Sequence, residues 1–468
     1  MVLLFLAAFV SCTVAGTFAL DAWGSRRLRN VLAEARRQNV PITFDDPYFK
    51  SFEDKGDVPP EENAVSYYDK ALTMLSANTT ARIGTLPVIG AGDAPADPKS
   101  PIPPEMLDAM REYIDVQREG LSLLHKGGLC TKCVYRGGPE SRFAEPGVLS
   151  QVRLAMRVVE LKIWLDAEEG HPENGAETLT DGLALSSSLI ETPSVMGALV
   201  GTATHGYSLN GLQRLIARGE PSDETLAMLQ RSLTAAAEGL SLRPALIGEV
   251  PFVLNRYRDV LSGAMAPSVF LQEAPENTAV EYPGMDYRVT VWLMRGLYKA
   301  DEAYTMTVFL KAISNASSPS PEAVTKAYWD TLRRETDRSL YFLSRERIAW
   351  LAQFAPEGGK WRARLNAATA CVAAVRYRRD SAKWPDALDN LVPRYLDAVP
   401  VDPFTGKALV YRQTADGIMI YSIGPSVTDD GGKPGLVRPA AADEKKYDDF
   451  GFMVWKEEKA AGDKRVAP

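Results

Sequence analysis

Between residues 105 and 264 apolar side chains recur at i, i+3, i+4 and i+7, and short breakers cut the pattern into pieces of helical-hairpin length. The clearest piece spans 148–168, where Val148, Leu149, Val152, Ala155, Met156, Val159, Ile163 and Trp164 share one face. Helices are therefore expected over 105–126, 148–168, 174–191, 194–218, 222–240 and 243–264. The breakers are Gly170-His171-Pro172, Thr192-Pro193, Gly219-Glu220-Pro221 and Ser241-Leu242. Turns this short oblige neighbouring helices to pack antiparallel. The tetratricopeptide period of about 34 residues is absent, so irregular, solenoid-like hairpins are expected over 104–355. Other helices are expected over 24–40, 61–76, 286–316 and 320–352. Pro356-Glu357-Gly358-Gly359 reads as the boundary behind them.

Residues 1–20 carry no charge. Twenty such residues at about 1.5 Å rise can cross a bilayer core of about 30 Å. Trp23 is placed as an interface anchor, with Arg26, Arg27 and Arg29 behind it. The expectation is a signal anchor or transmembrane segment over 1–22, holding the chain at the cell membrane with its bulk periplasmic. A cleaved signal peptide, with Thr17-Phe18-Ala19 or Thr13-Val14-Ala15 at the cleavage site, is the competing reading; a lipoprotein Cys12 and a buried core helix are weaker ones. An amphipathic helix and a Pro/Asp-rich connector fill 23–103, and 457–468 reads as a disordered tail.

A net charge of −7 leaves no general nucleic-acid footprint. Four cysteines are too few for a disulfide scaffold, and Cys130-x-x-Cys133 reads as a structural loop pair. No nucleophile elbow, metalloprotease helix, P-loop or dinucleotide fingerprint is present. His125, His171 and His205 have no partner at ligand spacing. Glu160, Asp166, Glu168 and Glu169 read as charge on the wet face of one helix. The chain thus reads as non-enzymatic, and no small-molecule substrate is identified. A hydrolase site on the concave face of the helices is the rival, and a His–carboxylate pair or converging carboxylates would favour it.

The last hundred residues change character. Tyr377, Trp384-Pro385, Leu388, Leu391, Tyr395-Leu396 and Pro400 are followed by Asp402-Pro403-Phe404-Thr405-Gly406, Tyr411, Asp416-Gly417, Tyr421-Ser422, Gly424, Asp429-Asp430-Gly431-Gly432 and Asp448-Asp449. This order resembles the soluble part of major pseudopilins of type II secretion systems. The whole chain is similar to membrane-anchored bacterial proteins that carry such a module. The resemblance implies a small α+β domain over 359–456 with a short antiparallel sheet, strands being placed near 408–412, 417–423 and 452–455. The helix before Tyr377 lacks the hydrophobic half of a pilin, so the fold is expected as a C-terminal cap rather than a pilin subunit.

Asp402 is expected to bond backbone N–H groups two residues on. In pseudopilins the acidic loop binds calcium. The resemblance therefore implies a Ca²⁺ site among Asp429, Asp430, Asp448 and Asp449, with Asp430 and Asp448 or Asp449 as ligands and carbonyls near Ser422 and Ile423. The alternative is an exposed turn whose aspartates cap the loop. The leading functional expectation is an anchored envelope scaffold that presents this module to a protein partner; a component linked to type II secretion is a further one.

Overall fold

The computed structural model describes residues 2–49, 58–77, 79–93, 95, 97–134, 146–265, 285–317, 330, 334, 342–432 and 449–455. The chain is mainly helical and closes on a small antiparallel sheet, as the periodicity requires. Helices α1 (Val2–Arg37), α2 (Ala64–Ala77), α3 (Pro104–Gly128), α4 (Pro146–Glu169) and α5 (Pro172–Ile190) come first. Helices α6 (Val195–Arg214), α7 (Asp223–Gly239), α8 (Arg243–Ser262), α9 (Met285–Ser317) and α10 (Phe342–Ser381) follow. Strands β1 (Val410–Thr414), β2 (Gly417–Ser422) and β3 (Phe450–Trp455) pair in chain order, with Tyr411 opposite Ile420 and Ile420 opposite Phe452.

The breakers do local work at the helix starts. Pro occupies the first turn of α3, α5 and α8, where its missing N–H costs nothing. Ser194 and Ser222 cap α6 and α7, each hydroxyl accepting from a backbone N–H 3.2 Å away, of Gly197 and Thr225.

Two apolar cores result. One gathers α2 to α7, the second half of α10 and the sheet, through residues such as Leu179, Leu229, Leu365, Val372, Ile420 and Phe452. The other gathers α8, α9, the first half of α10 and the end of α1, through Leu246, Tyr257, Phe309, Leu351 and Phe354. Helix α10 belongs to both and passes through Pro356, where a break is expected from the sequence. A Cβ at Gly359 would stand 3.0 Å from the Phe404 ring, so the pair expected to end the helix lets the sheet region dock against it. The start of α10 is fixed from α9: Asp301 accepts from Leu343 N at 2.8 Å and Ser344 N at 2.9 Å, and Tyr257 donates to the same carboxylate at 3.2 Å.

Helices α1 and α9 lie side by side. Phe18 meets Trp292 edge to face, Asp21 pairs with Arg295 at 3.2 Å, and Ser25 accepts from Lys299 at 2.9 Å. Position advances together along both helices, so they run parallel. They touch most closely at two glycines: a Cβ on Gly24 would lie 2.1 Å from the Gly296 carbonyl.

Among the described residues no helix is long and apolar enough to cross a membrane. This overturns the expected transmembrane helix and signal anchor, and with them the membrane location and periplasmic bulk that rested on the anchor. From Ser11 onward α1 mixes Ser11, Thr13, Gly16 and Thr17 with its apolar residues. It then spends Asp21 and Ser25 on α9, so its role in the fold is lateral packing.

Candidate functional site

The acidic loop leaves β2 at Ser422, and its described residues are 423–432 and Asp449. The turn Asp402 to Gly406 fixes where it begins. Buried Asp402 accepts from Phe404 N at 2.8 Å, from the Ser422 hydroxyl at 3.0 Å and from Ile423 N at 3.2 Å. The expected bond two residues on is thus present, and it also pins the end of β2. Gly432 has a positive φ of 65°, and a Cβ there would meet Met419 and Tyr421 at 2.8 Å, so the backbone at Gly432 lies close against the sheet.

The aspartates divide their work. One Asp429 oxygen accepts from the Tyr421 hydroxyl and from Gly431 N, both at 2.9 Å, and the other accepts from Arg412 at 2.8 Å. Partial burial pulls this carboxyl up, but Gly431, Tyr421 and Arg412 together hold it below the usual range. Asp449 is 7% exposed, and its Oδ2 accepts from Asp430 N at 3.0 Å and Gly432 N at 2.8 Å. Its Oδ1 is buried with no hydrogen-bond partner. Burial raises this carboxyl; the two N–H groups oppose that, and the charges of Asp430 and Asp429 add to it. Asp430 is exposed. Asp448 lies outside the described residues.

The loop therefore brings Asp429, Asp430 and Asp449 together, but it commits Asp429 to Arg412 and Tyr421. No group of three or more His, Cys, Asp or Glu placed to hold a metal exists among the described residues. What remains for a cation is the Asp430 carboxylate, the orphaned Asp449 oxygen and loop carbonyls. All are hard oxygen donors of the kind calcium takes.

A second constellation is invisible in the sequence. His125, at the end of α3, places Nδ1 3.0 Å and 3.2 Å from the two oxygens of Asp181 on α5. Burial pushes Asp181 up to about 6, against the pull of His125. The close approach needs Gly128, where a Cβ would stand 2.6 Å from Asp181. Beside it the cysteine loop is clamped by Asn63, which donates to Val134 O and accepts from Val134 N, both at 3.0 Å. A carboxylate on Nδ1 fixes the imidazole tautomer and leaves Nε2 able to act as a base. Only the α3–α5 packing brings these residues together, so spacing carries no signal of them.

Of the α4 carboxylates only Glu169 is exposed; Glu160, Asp166 and Glu168 are not on a wet face. Glu160 and Asp166 are buried, and Glu168 pairs with Arg214 at 2.7 Å and with Arg218 at 3.1 Å. Asp166 pairs with Lys162 one turn back, and Glu169 with Arg111. Cations on the packed neighbour explain the burial of Glu168, and Lys162 of the same helix that of Asp166, because an unpaired buried carboxylate is prohibitively costly. His205 is fully buried, and burial lowers it to about 4, so it is a neutral core residue.

In comparisons with known proteins, the chain matches no family model, no curated protein and no solved structure.

Proposed function

We propose that this chain is a non-enzymatic helical scaffold that presents its C-terminal sheet as a pseudopilin-like module to a protein partner, with a calcium ion held in the acidic loop. The observation that carries the reading is Asp449, a buried carboxylate with one oxygen unpartnered beside Asp430. A cation there satisfies that oxygen and offsets the repulsion among the loop acids. Rigid presentation is supported by α10, which packs on α7 and on the sheet at once. Arg376 clasps Asp223 at 2.9 Å and 3.1 Å, and Cys371 donates to Phe452 O at 3.5 Å.

Calcium bound only by the folded state raises the melting temperature. At about a hundredfold excess over Kd the expected rise is about 3 °C, judged from the linkage energy and the size of the chain. Magnesium produces less, and Asp430→Asn with Asp449→Asn removes the rise. The full chain is the right material, because a fragment beginning at 359 would cut α10 and expose the face packed on α7. An unchanged melting temperature, or an equal rise in the double variant, overturns the calcium assignment.

One observation favours a second reading, a hydrolase in the helical region: the Asp181-oriented His125. Here His125 Nε2 is the general base. His125→Gln is expected to lower turnover of a 4-nitrophenyl ester or phosphate by about a hundredfold. Hydrolysis no faster than buffer, or equal rates in His125→Gln, removes this reading.

A further inference from the structure

Where the chain leaves α3, Cys130 and Cys133 stand with only Thr131 and Lys132 between them, and neither function proposed above uses them. Both are thiols, and both are half-buried against the helical core. The chain bends at Thr131. A disulfide spans Cα separations of only about 4.4–6.8 Å, so a bridge between residues i and i+3 needs a bend of this kind.

The surrounding structure holds the bend. Lys132 bridges to Asn63 in the parallel sense, and Ala64 N donates to the Lys132 carbonyl at 2.9 Å. The Asn63 clamp on Val134 fixes the chain just beyond Cys133. On the near side the Cys130 thiol donates to the Lys126 carbonyl at 3.4 Å, in the last turn of α3. Tyr68 of α2 locates both sulfurs. Burial raises its hydroxyl, and Cys133, Asp181 and Cys130 raise it further, so the two thiols gather around one buried ring. Neither burial nor the helix end favours a thiolate here. Burial raises the Cys130 thiol, which follows the negative C-terminal end of the α3 dipole. A dithiol whose reduced form is stabilised resists oxidation, and Cys130 lacks that stabilisation.

We infer that Cys130 and Cys133 form a redox-active pair that closes to a disulfide by exchange with a low-molecular-weight disulfide such as oxidised glutathione. One protein thiolate attacks the small disulfide and releases one glutathione; the second protein thiolate then displaces the other from the mixed disulfide. The glutathione S–S bond breaks and one S–S bond forms within the loop. The two electrons and the two thiol protons leave on two molecules of reduced glutathione.

The test equilibrates the full chain with oxidised and reduced glutathione, approached from the reduced and from the oxidised chain. Cys12 is exposed, so Cys12→Ser removes a competing thiol, whereas Cys371 is fully buried. The samples are quenched with acid, alkylated and digested with trypsin. Trypsin cuts after Lys132 and so separates the two cysteines, leaving peptides 127–132 and 133–136. At about a tenfold excess of oxidised glutathione the two peptides are expected joined, lighter than their sum by two hydrogens. Cys133→Ser loses the joined species and carries glutathione on Cys130 instead. Two separate alkylated peptides at equilibrium overturn the proposal. Separate peptides each carrying glutathione also overturn it, since the two sulfurs would then fail to meet. Pairing of either cysteine with Cys371 does the same.

Discussion

Replacing Arg214 with methionine lowers the unfolding free energy by about 3–5 kcal/mol, the range for breaking a buried ion pair from one side. Arg214 and Glu168 have side chains only 2% exposed. The guanidinium donates to Glu168 at 2.7 Å and to the Ser100 carbonyl at 3.1 Å, and it lies 4.7 Å over the Trp164 ring. It therefore ties α4, α6 and the loop before α3 into one unit. Methionine keeps most of the volume but leaves the Glu168 charge and the Ser100 carbonyl in the interior. Arg218 still reaches Glu168 at 3.1 Å from a half-exposed position, which keeps the loss from being larger. Removing both charges, as Glu168→Leu with Arg214→Met, costs less than the single change, because no uncompensated charge stays buried. Denaturant unfolding of the four forms reads this cycle directly. A loss under about 1 kcal/mol for Arg214→Met, or a double variant weaker than the single, contradicts the assignment.

The stability of the chain falls as pH rises from 6 to 9, and Glu302→Gln removes most of that slope. Glu302 sits on α9 at 7% exposure. Burial pushes it up to about 8; Arg258 and Lys299 pull the other way, and Asp301 adds to the rise. Glu249 on α8 is pushed up to about 7, again by burial, with Arg347 opposing. A carboxyl with a raised folded pKa contributes stability that is fully present below its unfolded value. That contribution fades as pH rises through the folded value and is gone above it. For Glu302 the window runs from about 4.5 to about 8, and at about 1.36 kcal/mol per unit the loss is at most about 4–5 kcal/mol. Glutamine keeps the shape and carries no charge, so Glu302→Gln is the more stable form at pH 9. His205 works in the opposite sense: its lowered pKa means stability is lost as pH falls from 6.5 towards 4. Between pH 5 and 6.5 the two glutamates outweigh this single histidine, so melting temperatures should fall across pH 5 to 9, less steeply below about 6.5. A variant slope as steep as the parent's between 6 and 9 would place the titration elsewhere.

Much of the helical architecture is legible because each hairpin helix has an apolar stripe and a local start signal. Pro172, Ser194 and Ser222 mark where α5, α6 and α7 begin, and the three strands lie close to the positions expected near 408–412, 417–423 and 452–455. Long-range chemistry overrides local reading in three places. Pro356-Glu357-Gly358-Gly359 has the composition of a linker, yet it is helix, and Gly359 serves there to admit the Phe404 ring. The α4 acids have the spacing of a solvated face, yet Glu168 meets Arg214 across 46 residues. His125 has no partner in its neighbourhood of sequence and finds Asp181 only through helix packing. At the acidic loop the residue types were readable, but their division of labour was not. Asp429 is spent on Arg412 and Tyr421, and the unsatisfied oxygen belongs to Asp449, beyond a long excursion of chain.

Titration of calcium into the full chain, followed by calorimetry, is the most direct measure of what that loop does. One calcium per chain is expected, bound in the parent and lost in Asp430→Asn with Asp449→Asn, while Asp429→Asn, whose carboxylate is already paired, weakens binding far less. No heat of binding at millimolar calcium, or an unchanged isotherm in the double variant, would contradict a calcium-holding module on this scaffold.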